Sequence, residues 1–223
     1  MARRVRAPAQ TAARVRLWLA VSVVVALFLG IVLVSRGRRV VTRAAPCVGE
    51  MREQPAREAR IRAIVATLPG GIERLRVVTA ARFCFGDGFA VPATTRDARL
   101  ELDARASDGE TAARVSHLLA HHVMPFAPVT GFDRAQPCAP QVAAALDAEA
   151  VALVQELADR RRLSVSAPRL EFAFAADVER AADEAARMRI VRAFIDAHPD
   201  GGGGIDALAT GYATSCARSR ASR

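Results

Sequence analysis

Residues 110–122, Glu-Thr-Ala-Ala-Arg-Val-Ser-His-Leu-Leu-Ala-His-His, hold the one constellation in the chain with evident chemical capacity. His117 and His121 are four apart, so on a helix they share a face, and two imidazoles placed that way can grip one metal ion. At about 100° per residue Glu110 and Arg114 fall on the same face. Val115, Leu118, Leu119 and Val123 spread across the other side, with His122 at their edge. The simplest expectation is a surface helix. Glu110, Arg114, His117 and His121 would then face solvent, Glu110 and Arg114 would form an ordinary i,i+4 pair, and His122 would be partly buried.

His117-Leu-Leu-Ala-His121 resembles the His-Glu-x-x-His helix of zincin metallopeptidases, and the order of elements around it is similar over about residues 72–162. The resemblance implies a zinc site in which His117 and His121 are joined by an acid from the long helix that follows. Glu149 is the best-matched position for that ligand and Glu156 the second. Leu118 stands where the family's catalytic glutamate belongs, and a leucine cannot take a proton from zinc-bound water. What the resemblance implies is therefore a degenerate zincin-like site, either metal-binding only or residually hydrolytic.

These residues must be positioned by a domain, and the N-terminal part of the chain says where that domain sits. Residues 17–34 run for eighteen positions without a charge, with Ser22 as the only polar side chain. A helix of that length nearly crosses a hydrocarbon core of about 30 Å. We expect a basic cytoplasmic N-terminus over 1–16, a single transmembrane helix over 17–35 and a basic juxtamembrane linker over 36–46. The chain has 223 residues and a formal charge of +9, with no lysine among its 32 basic residues. Nine of those arginines precede residue 44, leaving 23 against 23 acids in the remainder. The basic character thus belongs to the membrane flanks, where it meets anionic lipid. A nucleic-acid partner loses its support, and aromatic residues, at 5%, are too sparse for base stacking.

Cys47, Cys84, Cys138 and Cys216 all lie beyond the apolar run, with no close pair of the kind a zinc knuckle or thioredoxin-type motif needs. Four cysteines there suit two disulfides in an oxidising compartment, in any of three pairings. With the slight arginine excess on the N-terminal flank, this places the domain outside the cytoplasm.

For the domain itself, 47–216, the spacing predicts a helix from Pro55 carrying Ile61, Ile64, Val65 and Leu68, stopped by Pro69-Gly70-Gly71. Residues 72–80 read as a strand, 83–91 as strand, turn and strand with Phe83, Phe85 and Phe89 in the core, and 99–104 as a half-buried edge strand. Capping residues at 107–110 open a helix over 111–123, and a proline-rich loop spans 124–140. Helices follow over 141–162, 177–197 and 205–217. His198 sits at a helix end, the 201–204 glycines form a hinge, and 217–223 is a disordered basic tail. The fold class is α+β, with a small antiparallel or mixed sheet and helices gathered on one side. Two functions fit: a non-catalytic domain anchored in the lipid bilayer that contacts an envelope protein, or a degenerate zincin-like domain, metal-binding or residually hydrolytic as a metallopeptidase, with His117, His121 and Glu149 as zinc ligands.

Overall fold

The computed structural model describes residues 45–77, 81–87, 93–94, 98–124, 126–166, 173–201 and 207–221. The N-terminus at 1–16, the apolar run at 17–35 and most of the linker lie outside the described residues. No helix among the described residues is long and apolar enough to cross a membrane.

The domain is a mixed α+β structure. Strand β1 (Arg52–Glu53) leads into helices α1 (Pro55–Thr67) and α2 (Gly71–Val77), then β2 (Arg82–Gly86), β3 (Ala93–Thr94) and β4 (Arg99–Asp103). Helices α3 (Asp108–Val123), α4 (Ala127–Thr130), α5 (Cys138–Arg162), α6 (Ala175–Arg180), α7 (Glu184–Ala197) and α8 (Leu208–Ala221) complete it. The sheet order is β1-β2-β4-β3. The central pair is parallel, with Phe83 opposite Leu100 and Phe85 opposite Leu102, while β1 and β3 are antiparallel to their neighbours. The sheet is thus mixed, and β4 lies inside it instead of at the edge. Its alternation is as expected: Leu100 and Leu102 are buried and Arg99, Glu101 and Asp103 half-buried. Alternation reports a face, not a place in the strand order.

Phe83, Phe85, Leu100 and Leu102 pack with Ile61 and Val65 of α1 and Val115, Leu118 and Leu119 of α3. Each such side chain contributes about 1.5–3 kcal/mol on burial. Phe89 lies outside the described residues. A second cluster gathers Leu146, Leu153 and Val154 of α5 with Val178, Val191 and Ile195. The two disulfides are Cys47–Cys84, tying the start of the domain to β2, and Cys138–Cys216, tying the first residue of α5 to α8.

Four further expectations are corrected. Residues 71–77 are helical, not a strand. Ile72 and Leu75 stand at helical spacing, Glu73 near the N-terminus and Arg74 and Arg76 in the last turn suit the helix dipole, and Gly70 at φ +67° supports the tight entry. A Cβ at Gly71 would fall 1.8 Å from the Val65 carbonyl oxygen, so only glycine fits there. The expected helix over 177–197 is two helices, because Asp183 caps a new start by accepting the Ala186 N–H at 2.7 Å. The loop over 124–140 contains α4, and α5 begins at Cys138. The expected tail is largely helix, since α8 continues to Ala221.

Helix α3 starts at a capping box. The Ser107 Oγ accepts the Glu110 N–H at 3.2 Å, and Glu110 Oε2 accepts the Ser107 N–H at 2.8 Å. Arg57 of α1 braces the same turn, its Nε 3.0 Å from Asp108 Oδ1 and its Nη1 donating to the Ala104 carbonyl at 2.7 Å. Ser107→Ala should lower unfolding free energy by about 1 kcal/mol, read as an earlier denaturant midpoint at unchanged slope; an unchanged midpoint would show that the cap does not set the start of α3.

Candidate metal centre

The face of α3 that carries His117 and His121 is buried, with Arg114 half-buried beside it. It packs against α5, whose residues Glu149, Glu156 and Arg160 form a matching stripe at intervals of seven and four. His117 is 5% exposed, His121 2%, Glu149 6% and Glu156 0%. The expectation of solvent-facing histidines is therefore wrong. Amphipathic spacing identifies a polar face, but only a partner of complementary charge decides whether that face is buried.

Three donor atoms converge between the helices. His117 Nε2 and His121 Nε2 are 3.0 Å apart. Glu149 Oε2 lies 3.3 Å from the first and 3.4 Å from the second. A regular tetrahedron with arms of about 2.0–2.1 Å, the length of a zinc–nitrogen or zinc–oxygen bond, has edges of about 3.3–3.4 Å. The triangle thus has the size of one face of a zinc coordination tetrahedron. Among the described residues it is the one group of three or more histidine, cysteine or acidic side chains close enough to hold a metal ion.

Other groups surround these three. The Tyr212 hydroxyl of α8 donates to Glu149 Oε1. Phe126 stacks on His121 with ring centres 3.9 Å apart and planes 15° off parallel. Behind His117, Nδ1 lies 3.1 Å from Glu156 Oε2, close enough for strong attraction but too bent for a good hydrogen bond. Glu156 is held in turn by Arg114 at 3.3 Å and Arg160 at 2.9 Å. His121 Nδ1 is buried with no hydrogen-bond partner.

The protonation states follow from these neighbours. Burial alone would lower the pKa of His117, but Glu149 and Glu156 on its two sides overcome that and raise it to about 9. Burial lowers His121, so it stays neutral and can offer a lone pair. Burial opposes ionisation of Glu149 and Glu156, yet Glu149 is held well below its ordinary range by His121 and His117, and Glu156 is held at about 2, chiefly by Arg114. Without a metal, a buried proton on His117 offsets the charge of Glu149, while Arg114 and Arg160 offset that of Glu156. A dipositive ion at the triangle would displace that proton.

The remaining sequence candidates are placed elsewhere. Glu110 serves the helix cap and Arg114 pairs with Glu156, so the expected Glu110–Arg114 pair is replaced by two other interactions. Leu118 is 4% exposed in the core under the sheet. His122 is half-buried as expected, and burial lowers its pKa to about 4. His198 caps α7, its Nδ1 2.8 Å from the Phe194 carbonyl oxygen. Of the 201–204 glycines, three lie outside the described residues. All four cysteines are in disulfides, so none is a thiolate ligand. Sequence reasoning missed Tyr212 and Phe126. The available signal for Tyr212 was its position four residues before Cys216, on the same helical face.

The shared proton sets a pH dependence for the metal-free chain. Because the folded pKa of His117 is raised, its contribution is complete below about 6.5, the unfolded value. It is lost as pH rises through about 9. Denaturant midpoints in excess chelator should therefore fall across that window, and a flat profile there would contradict a proton held between Glu149 and Glu156.

No protein-family model, curated protein or solved structure matches the chain, so its function has to be read from the residues themselves.

Proposed function

We propose that this is a membrane-tethered, extracytoplasmic domain that holds one zinc ion through His117, His121 and Glu149 and does not hydrolyse peptides. The observation that carries the reading is the triangle of Nε2, Nε2 and Oε2 with edges of 3.0, 3.3 and 3.4 Å. Two imidazoles and a carboxylate suit zinc better than the hard ions calcium and magnesium, which prefer all-oxygen shells. The near-tetrahedral edges fit an ion without strong geometric demands of its own.

Zinc at this position would polarise a bound ligand and would cross-link α3 to α5. Hydrolysis needs a base as well, and among the described residues no carboxylate is placed to supply it. Leu118 occupies the position where zincins carry it, and Glu156 lies behind the His117 ring, engaged by Arg114 and Arg160. The two disulfides support an oxidising compartment. The apolar run at 17–35, flanked by arginine, supports attachment to the bilayer. In this reading the tethered domain acts through contacts with an envelope protein, and the ion ties α3 to α5 within it.

The test uses the full chain, made in an oxidising compartment and purified in detergent. Mass spectrometry should find about one zinc per chain, lost in His121→Ala and in Glu149→Gln. Saturating zinc at about 100 times Kd should raise unfolding free energy by about 3 kcal/mol, reversed by chelator. The zinc-loaded chain should leave unstructured peptides uncut. Absence of zinc from the wild type would overturn the metal reading, and zinc-dependent cleavage lost in His121→Ala would overturn the non-hydrolytic one.

A further inference from the structure

Glu149 has two carboxylate oxygens with different partners, and that division calls for an explanation. Oε2 faces the two histidines at 3.3 and 3.4 Å, whereas Oε1 accepts the Tyr212 hydroxyl. The last torsion of a glutamate is soft and broad, so nothing intrinsic to the side chain keeps one oxygen toward the histidines. A hydroxyl fixed on Oε1 does. Tyr212 also meets Phe126 edge-on, with ring centres 5.7 Å apart and planes at 81°, and Phe126 is the ring that stacks on His121. One side chain of α8 therefore bears on two of the three donors.

The placement of Tyr212 depends on how α8 is held. Cys216 is the one fully buried side chain of α8, while Leu208, Ala209 and Tyr212 are partly buried against neighbouring clusters. Cys216 is bonded to Cys138 at the first residue of α5, the helix that carries Glu149. Tyr212 and Cys216 are four apart, so the residue that ties α8 down and the residue that reaches Glu149 lie on one face. The disulfide closes a sequence separation of 78 residues and joins α8 to the first turn of α5, eleven residues before Glu149.

We infer that Tyr212 is a positioning residue of the metal centre, and that the Cys138–Cys216 disulfide sets the centre's affinity by holding Tyr212 on Glu149. The inference rests on the zinc reading above and adds to it a third helix and a covalent constraint. A partner that orients a ligand from the outer shell typically contributes 10- to 100-fold to metal affinity.

Zinc affinity of the full chain in detergent is measured by competition with a chromophoric chelator. Tyr212→Phe keeps the ring on Phe126 and removes only the hydroxyl; it should weaken zinc about 10- to 100-fold. It should also alter the visible spectrum of the cobalt(II)-substituted chain, a change that mere loss of stability would not produce. The paired substitution Cys138→Ser with Cys216→Ser should weaken zinc in the same range and shift the cobalt spectrum the same way. Combined with Tyr212→Phe it should add little, because both act on one contact. Wild-type affinity and spectrum in Tyr212→Phe would overturn the positioning role while leaving the zinc reading intact. Independent, multiplicative losses would overturn the link between the disulfide and Tyr212. A wild-type chain that binds neither zinc nor cobalt would overturn both readings.

Discussion

Two charged stripes, one on α3 and one on α5, are buried against each other, and the rest of the domain is arranged so that they can be. Arg114, His117 and His121 on one side meet Glu149, Glu156 and Arg160 on the other, all with little or no exposure. Each of these groups alone would be strongly unfavourable in the interior, and removing one partner from such a pair typically costs about 3–5 kcal/mol. The seam is tolerable because every charge has a neighbour of opposite sign. Its geometry depends on the rotation of α3 about its own axis. The Ser107–Glu110 capping box and the Arg57 brace fix that rotation at the start of the helix. On the opposite face Val115, Leu118 and Leu119 fix it again by packing under the sheet.

Within the seam the balance of charge is held by a single exchangeable cation. Glu156 is matched by Arg114 and Arg160, which are permanent positive charges. Glu149 has no arginine of that kind among its described partners; its neighbours are His117, His121 and the Tyr212 hydroxyl. A proton on His117 can neutralise it, and so can a metal ion at the triangle. The ion would engage all three donors at once and leave each imidazole with its proton on Nδ1, the atom that in His117 faces Glu156.

Much of this was legible in the sequence because it follows from spacing. The i,i+4 pair His117 and His121, the cap at Ser107, the turn at Pro69-Gly70-Gly71 and the alternation of Leu100 and Leu102 are local, and local patterns survive folding. Glu149 was reached through likeness to a metallopeptidase helix, and the structure brings it to both histidines. What was not legible is what faces what. The polar stripe of α3 reads the same whether it meets water or another charged helix, and only the stripe on α5, 28 residues or more away, buries it. Segment 72–77 contains β-branched residues that favour a strand, yet its spacing and its glycine entry favour the helix it forms. The cysteine pairing, and with it the arrival of Tyr212, depends on a separation of 78 residues that no local pattern encodes.

The most direct test of the account is crystallographic. Crystals of the zinc-loaded chain measured on either side of the zinc absorption edge should show one anomalous peak between α3 and α5. The account predicts that peak within about 2.0–2.2 Å of His117 Nε2, His121 Nε2 and Glu149 Oε2. Density that shows no ion there, with His117 bridging Glu149 and Glu156 directly, would contradict it.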